Sequence, residues 1–378
     1  MDEQAHLARA RVNRLAASDR ASGGQIFPIG ARLLLAALLI VLCIMSGGCW
    51  LWEEPLQPNQ TPAPTATPPQ QEEAGPSSPS ISGRLLYASA GHIWLRTGTT
   101  ARRLTIETTG TQPAWSPDGE QIAFVVRDEY YSDIWVMEAD GSDPHPLTDN
   151  RSAAEEHSYD AAHGSFWASQ PQWIPPEGLW LSFSSHSSPN YLSSLMSVWI
   201  MHADDGGEKK RWLGLSQHIE NPVWSPDGDL LAFTIYFRES GGQLRYMDAD
   251  GNVHNLGSDS KDVQRYDPLW SPDGQWIVYA ARQESTGTTD LWVMPSPLNP
   301  LYEEDWSPGR LTQMGMARGP AWSPDGSQIA FVAAENGAFD LWLLNLEMFG
   351  PLPQPAGKPA RLTNGGDVDA TARPSWAP

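Results

Sequence analysis

Cysteine is almost missing from this chain of 378 residues: Cys43 and Cys49 are the only two, and both lie in one apolar stretch near the N-terminus. Everything after residue 49 therefore folds without a disulfide and without a thiolate metal site. Positive charge is scarce too. Lys and Arg total 24 against 45 Asp and Glu, a formal net charge of −21 at pH 7. The first 32 residues carry +2, which leaves about −23 for the rest. Such a body repels phosphate backbones and excludes a nucleic-acid partner. No Gly-rich phosphate cradle, Gly-x-Ser-x-Gly elbow, Ser-His-Asp or Cys-His arrangement, or pair of catalytic carboxylates can be argued from the spacing.

Long apolar runs are also rare, and the exception is "LLLAALLIVLCIMSGGCWLW", residues 33–52. Twenty uncharged residues in a helix span about 30 Å, the thickness of a bilayer core. Arg9, Arg11, Arg14, Arg20 and Arg32 precede it, which orients the N-terminal tail, residues 1–32, to the cytoplasm. Two readings stand: an uncleaved signal anchor, or a lipoprotein signal in which "SGGC" precedes a lipidated Cys49. Both place the body of the chain outside the membrane and tethered to it. Residues 53–80 have proline every few positions, which favours an extended, disordered linker. At ~3 Å per residue the linker reaches about 80 Å.

What is abundant is tryptophan, with 18 residues, and most of it is periodic. From residue 81 a unit of about fifty residues recurs, its first landmark being Trp115, Trp173, Trp224, Trp270, Trp322 and Trp376. Four copies read Pro-x-Trp-Ser-Pro-Asp-Gly, and in these four an aromatic stands nine residues after the Trp: Phe124, Phe233, Tyr279 and Phe331. An aliphatic-Trp pair comes next, as in Ile134-Trp135 and Leu341-Trp342, and a phrase such as "RLT" closes the unit. These landmarks predict four antiparallel strands joined by tight turns, with Pro, Asp and Gly supplying the turn geometry. The second strand is apolar on both faces, so it needs cover on both sides. Blades packed face to face around an axis provide that cover. Residues 83–105 hold the last three strands of a unit without the Trp strand, and "RPSWAP" at 373–378 is a Trp strand without the other three. Each completes the other. The expectation is an all-β, six-bladed β-propeller over residues 81–378, with four-stranded blades and a ring closed by strands from both ends, preceded by the anchoring helix and linker.

The phrase "WSPDG…IAF…DIWVM…LT" resembles the repeat of the TolB-like family. The resemblance covers residues 83–378 and implies an extracytoplasmic propeller, because TolB is the periplasmic partner of a peptidoglycan-associated lipoprotein. It implies a bacterial periplasmic or cell-surface location and an envelope partner. The α/β domain that precedes the TolB propeller has no counterpart here, where the linker stands in its place. Some TolB-like propellers are lyases of uronate oligosaccharides that hold a metal through His.

Function in a propeller collects at the mouth of the central channel. Residues just ahead of each Pro-x-Trp phrase should ring that mouth: Gln112, Gln170, Asn221, Asp267, Gly319 and Arg373, with Glu220, Tyr266 and Arg318 behind them. The two arginines stand out in an acidic body. In the longest loop entering a Trp strand, His157, Asp160 and His163 are candidates for a divalent cation, on a spacing that is not diagnostic. A solvated loop explains them as well, and no cofactor is otherwise implied. These residues point to a non-catalytic binding module that presents its rim to an envelope protein, a peptide or a cell-wall glycan. The alternative is a carbohydrate-active, lyase-like enzyme using His and Arg on the same rim.

Overall fold

A computed structural model describes residues 71–73, 79–154, 164–186, 195–204, 206–207, 209–349 and 351–378. The expected anchor at 33–52, Cys49, most of the linker, and the metal candidates His157, Asp160 and His163 lie outside the described residues. Among the described residues no helix is long and apolar enough to cross a membrane. The strands belong to one unit, Pro69–Pro378.

The strands form six antiparallel sheets, the blades of a propeller. Blade 2 runs Thr111–Trp115, Gln121–Arg127, Ser132–Glu138 and His145–Pro146 from the channel outward. Blades 3, 4 and 5 repeat this order from innermost strands Ala168–Trp173, His218–Trp224 and Val263–Trp270. Blade 6 begins at Ala317–Trp322, and its third strand, Ala338–Phe349, is long enough to pair both with Leu352–Pro355 and with Ala360–Arg361. Blade 1 takes its innermost strand, Ser375–Ala377, from the other end of the chain, and Leu85 pairs with Trp376. The ring therefore closes as the two partial repeats require. Gln71–Glu73, within the expected linker, adds a fifth strand at the outer edge of blade 1.

The second strands sit deepest because both of their faces are covered. Phe124, Phe233 and Phe331 are fully buried, and Phe183 and Tyr279 are 1% exposed. Between blades 5 and 6, Val278, Leu291 and Val293 pack against Trp322, Phe331 and Leu344. Each landmark Trp wedges into such a contact. Trp115 donates to Arg84 O (3.2 Å), Trp173 to Ala114 O (3.0 Å), Trp224 to Ser182 Oγ (2.9 Å) and Trp270 to Val223 O (3.2 Å). Every one of these acceptors lies in the preceding blade. Burying an indole removes on the order of 200 Å² from water, worth up to ~5 kcal/mol, and the hydrogen bond satisfies its single donor. The pattern stops at blade 6: the Trp322 Nε1 is buried without a partner, and Trp376 donates within its own blade, to Ser82 O at 2.8 Å.

Two further regularities explain letters of the repeat. In the Ser-Pro-Asp-Gly turn, Ser116 Oγ donates to Asp118 Oδ1 (2.6 Å) and accepts from Gln121 N (2.9 Å), and Gly119 takes φ +72°. Serine is thus a clamp of the turn, a role that its Pro, Asp and Gly do not reveal. The Asp near the start of the third strand pairs with the closing Thr. Thr148 donates to Asp133 at 2.6 Å, Thr312 to Asp290 at 2.8 Å and Thr363 to Asp340 at 2.8 Å. The same Thr oxygens accept the N–H of Ile134, Leu291 and Leu341. These buried carboxylates hold third strand to fourth, so they are structural.

Removing residues 372–378 takes away the closing strand, Trp376 and the Ser375 hydroxyl that accepts from Trp115 N at 3.0 Å. Loss of a wedged Trp together with an opened sheet edge should cost at least ~3 kcal/mol. A truncated chain whose urea midpoint matches that of the intact chain would show that closure does not support the ring.

Candidate functional site

The innermost strands are not straight. Their pairing slips between Thr111 and Ala114, Glu220 and Val223, Tyr266 and Leu269, and Arg318 and Ala321, with a matching slip in blade 3. At each bulge sits the residue three before the landmark Trp, with left-handed backbone: Gln112 (φ 51°), Gln170 (55°), Asn221 (54°), Asp267 (55°) and Gly319 (57°). A residue with a side chain gives up about 1 kcal/mol to stand there. Hydrogen bonds offset that cost. Gln112 Oε1 accepts from Gln170 N (2.8 Å), Gln170 Oε1 from Asn221 N (2.7 Å), and Asp267 Oδ2 from Gly319 N (3.2 Å). At three contacts the side chain of one blade thus stitches the backbone of the next, which explains Gln112, Gln170 and Asp267, whereas Asn221 Oδ1 accepts from Thr234 Oγ1 of its own blade at 3.4 Å.

These residues meet at an opening on the axis, a cavity of about 430 Å³ including its mouth. Of the sequence-predicted residues, Gln112, Gln170, Asn221, Asp267, Arg318 and Arg373 line it, together with Gly319. Glu220 and Tyr266 do not. Glu220 is held by His218 Nε2 at 2.9 Å and by the Tyr236 hydroxyl at 3.1 Å. Tyr266 lies beneath Arg318, whose guanidinium is 5.5 Å from the ring centroid, and its hydroxyl meets Thr289 Oγ1 at 3.0 Å. Sequence reasoning missed the 367–373 loop, which brings Ala370 and Thr371 to the lining. The loop is held from blade 2, where Thr111 Oγ1 donates to Asp369 Oδ2 at 2.5 Å. Nothing local to either residue signals a contact 258 positions apart.

The site is charged as well as polar. Arg318 Nε donates to Asp267 Oδ2 at 3.2 Å, and the carboxylate holds the arginine's pKa above its usual value despite burial. Burial, then the Glu220 and Asp267 charges, push the Tyr236 phenol upward, and burial does the same to Tyr266. Both phenols therefore stay protonated at neutral pH. Arg373 differs: burial first, and then repulsion from Arg318, depress its pKa against the pull of Asp267. Its Nε is buried without a hydrogen-bond partner.

His186, on the neighbouring rim, has its pKa lowered by burial and by His218. Among the described residues no group of three or more His, Cys, Asp or Glu is placed to hold a metal ion.

Comparison with known proteins agrees with this fold. Residues 88–288, more than half of the chain, match the TolB beta propeller domain. The chain belongs to that family. A TolB-type propeller also appears among solved structures: TolB from Acinetobacter baumannii superposes with a TM-score of 0.55 at 18% identity, covering 79% of this chain and 67% of that one. This likeness concerns the fold alone. Among curated relatives, the "uncharacterized peptidase YuxL" of Bacillus subtilis is 25% identical over 241 residues, 52% of this chain and 33% of its own length. The Tol-Pal system protein TolB of Anaeromyxobacter dehalogenans is 28% identical over 134 residues, 35% of this chain and 26% of its own. The TolB-type chain thus spans a third or less of either curated relative.

Two measurements test the network. Asp267 is 4% exposed and serves both Arg318 and Gly319. Asp267→Ala should cost about 2 kcal/mol in urea unfolding, less than a fully buried pair would, because Arg318 keeps some solvent. The Asp369 carboxyl is raised by burial, but hydrogen bonds from Thr111 and Thr371 and the Arg127 charge outweigh this, and its pKa lies below the usual value. Its stabilisation is complete above the unfolded value near ~3.9 and disappears as pH falls through the folded one. A pH series of melts should show a smaller acid loss in Asp369→Asn than in the wild type.

Proposed function

We propose that this TolB-type propeller is a non-catalytic binding module of the cell envelope that holds an extended segment of a partner protein at its channel mouth. One observation carries the reading. Several blades converge their polar side chains on a single opening, and that opening contains two arginines in a chain of net charge −21. Pro113, Pro171 and Pro222 line it beside the amides. Proline faces next to amide donors and acceptors suit a polypeptide. No aromatic ring, the usual platform for a sugar, is among the lining residues. Phe166 and Trp167 lie outside it, so the glycan reading is the weaker one. The relative named for the Tol-Pal system supports an envelope setting. The peptidase name belongs to a protein of which this chain matches one third, and it is not carried over. Residues 33–52 as anchor, with the part of the 53–80 linker ahead of the blade 1 strand Gln71–Glu73 as stalk, would hold the propeller outside the membrane, with Cys49 as the lipidated residue if that signal is cleaved.

Gly319 offers a way to close the mouth. A Cβ there would meet Arg373 Cα at 3.5 Å and Ala372 O at 3.7 Å, ordinary contacts. Gln112 and Gln170 already carry side chains at nearly the same φ. Gly319→Gln should therefore fold, losing no more than about 1 kcal/mol, while narrowing the opening. In crosslinked pull-downs from envelope extract, the variant should recover markedly less partner protein than the wild type. Equal recovery would remove the mouth as the binding site. A melting curve that falls with chelator would instead favour the metal-dependent enzyme.

A further inference from the structure

Arg373 stands at the same offset from its Trp as the stitching side chains of three other blades, without their left-handed backbone, and it cannot stitch. Gln112, Gln170 and Asp267 each accept a backbone N–H from the next blade. A guanidinium has only donors. The preceding ring position is Gly319, which has no side chain to receive those donors. Asp267, the nearby carboxylate, is already engaged through its Oδ2 by Arg318 Nε and Gly319 N, each at 3.2 Å. No hydrogen bond or ion pair engages Arg373 among the described residues, and its Nε is buried without a partner. The ring thus holds two guanidiniums and one carboxylate, an excess of one positive charge facing the opening.

We propose that Arg373 receives a carboxylate of the bound polypeptide, either its C-terminus or an acidic side chain. The inference rests on the reading of the mouth as a polypeptide-binding site and adds the group that is recognised. A carboxylate is planar and can accept two parallel hydrogen bonds from a guanidinium. It also carries one negative charge. A phosphate dianion would meet twice the repulsion from the acidic body. Asp267 sets the geometry: it draws Arg318 to itself and leaves Arg373 as the free donor.

The inference explains a costly residue. A buried donor without a partner destabilises a fold, and glutamine at this position removes the unpartnered Nε. Arg373→Gln should therefore melt no lower than the wild type, which separates loss of ligand from loss of fold. The binding experiment is calorimetric titration of the full chain with three probes: N-acetyl-triglycine, its C-terminal amide, and N-acetyl-Gly-Asp-Gly amide. At least one acid should bind about tenfold or more tighter than the neutral amide. The stronger acid identifies the source as terminus or side chain. Arg373→Gln should abolish the preference, and Arg373→Lys should restore part of it. Equal binding of acids and amide, absence of binding by either acid, or a preference that survives Arg373→Gln would overturn the proposal. If the carboxylate preference is absent while Gly319→Gln still blocks partner capture, recognition of a carboxylate fails and the binding mouth stands. If the preference depends on Arg373 but Gly319→Gln leaves capture unchanged, the reading of the mouth as the partner site fails instead.

Discussion

The pairing of Ser375–Ala377 with the strand Ile81–Ser89 is the contact on which the ring depends. Without it, blade 1 lacks its channel strand and blade 6 loses a neighbour. The register is short, but it is reinforced from three sides. Arg84 Nε donates to Pro378 O at 3.0 Å, Trp115 N donates to Ser375 Oγ, and Ala90 N donates to Asp367 O at 3.0 Å. A closed ring has no free inner edge for another chain to extend. It also fixes the axis, so that residues from distant parts of the sequence come to face one another.

The tryptophans convert that closure into stability in one direction around the ring. Each of the four stitched indoles reaches back to the blade before it. At the channel the polarity is opposite: the side chain reaches forward to the backbone of the following blade. Two opposed sets of stitches resist both twisting and opening of a blade contact. Both sets change around blade 6. Trp322 has no acceptor, Trp376 turns inward, and Gly319 has no side chain to extend to Arg373. There the ring depends instead on the loop before the closing strand, tied to blade 2 through Asp369 and Thr111.

The blades were legible because tryptophan, the Pro-Asp-Gly turn and the second-strand aromatic recur at fixed spacing, and because only face-to-face packing buries so much apolar surface. Ring closure was legible because the two incomplete repeats lack complementary parts. The channel residues could be named from their offset to the landmark Trp, but not their backbone. Gln112, Gln170, Asn221 and Asp267 share a left-handed conformation that glycine would have signalled, and only Gly319 does so. Glu220, Tyr266 and Arg318 were all expected behind the mouth, yet Arg318 lines it, since a bulge turns neighbouring side chains in different directions. The Asp–Thr pairs could have been found from the recurring "D(I/L)W…LT" phrase. The Asp369–Thr111 contact carries no such pattern.

Binding and stability make opposed demands on the same ring position. A residue that completes the stitch uses its acceptor within the protein and has less to offer a ligand. Gln112 and Gln170 stand on the side of stability, and each strengthens a blade contact. Arg373 stands on the other, since it lines the opening and its Nε finds no partner within the fold. Asp267 mediates between the two, bonding Gly319 as a stitch and Arg318 as a counterion. A propeller can tolerate such exceptions because closure and the remaining stitches hold the ring. The position with least structural duty is therefore the one free to acquire a recognition duty, and here it falls where the ring closes.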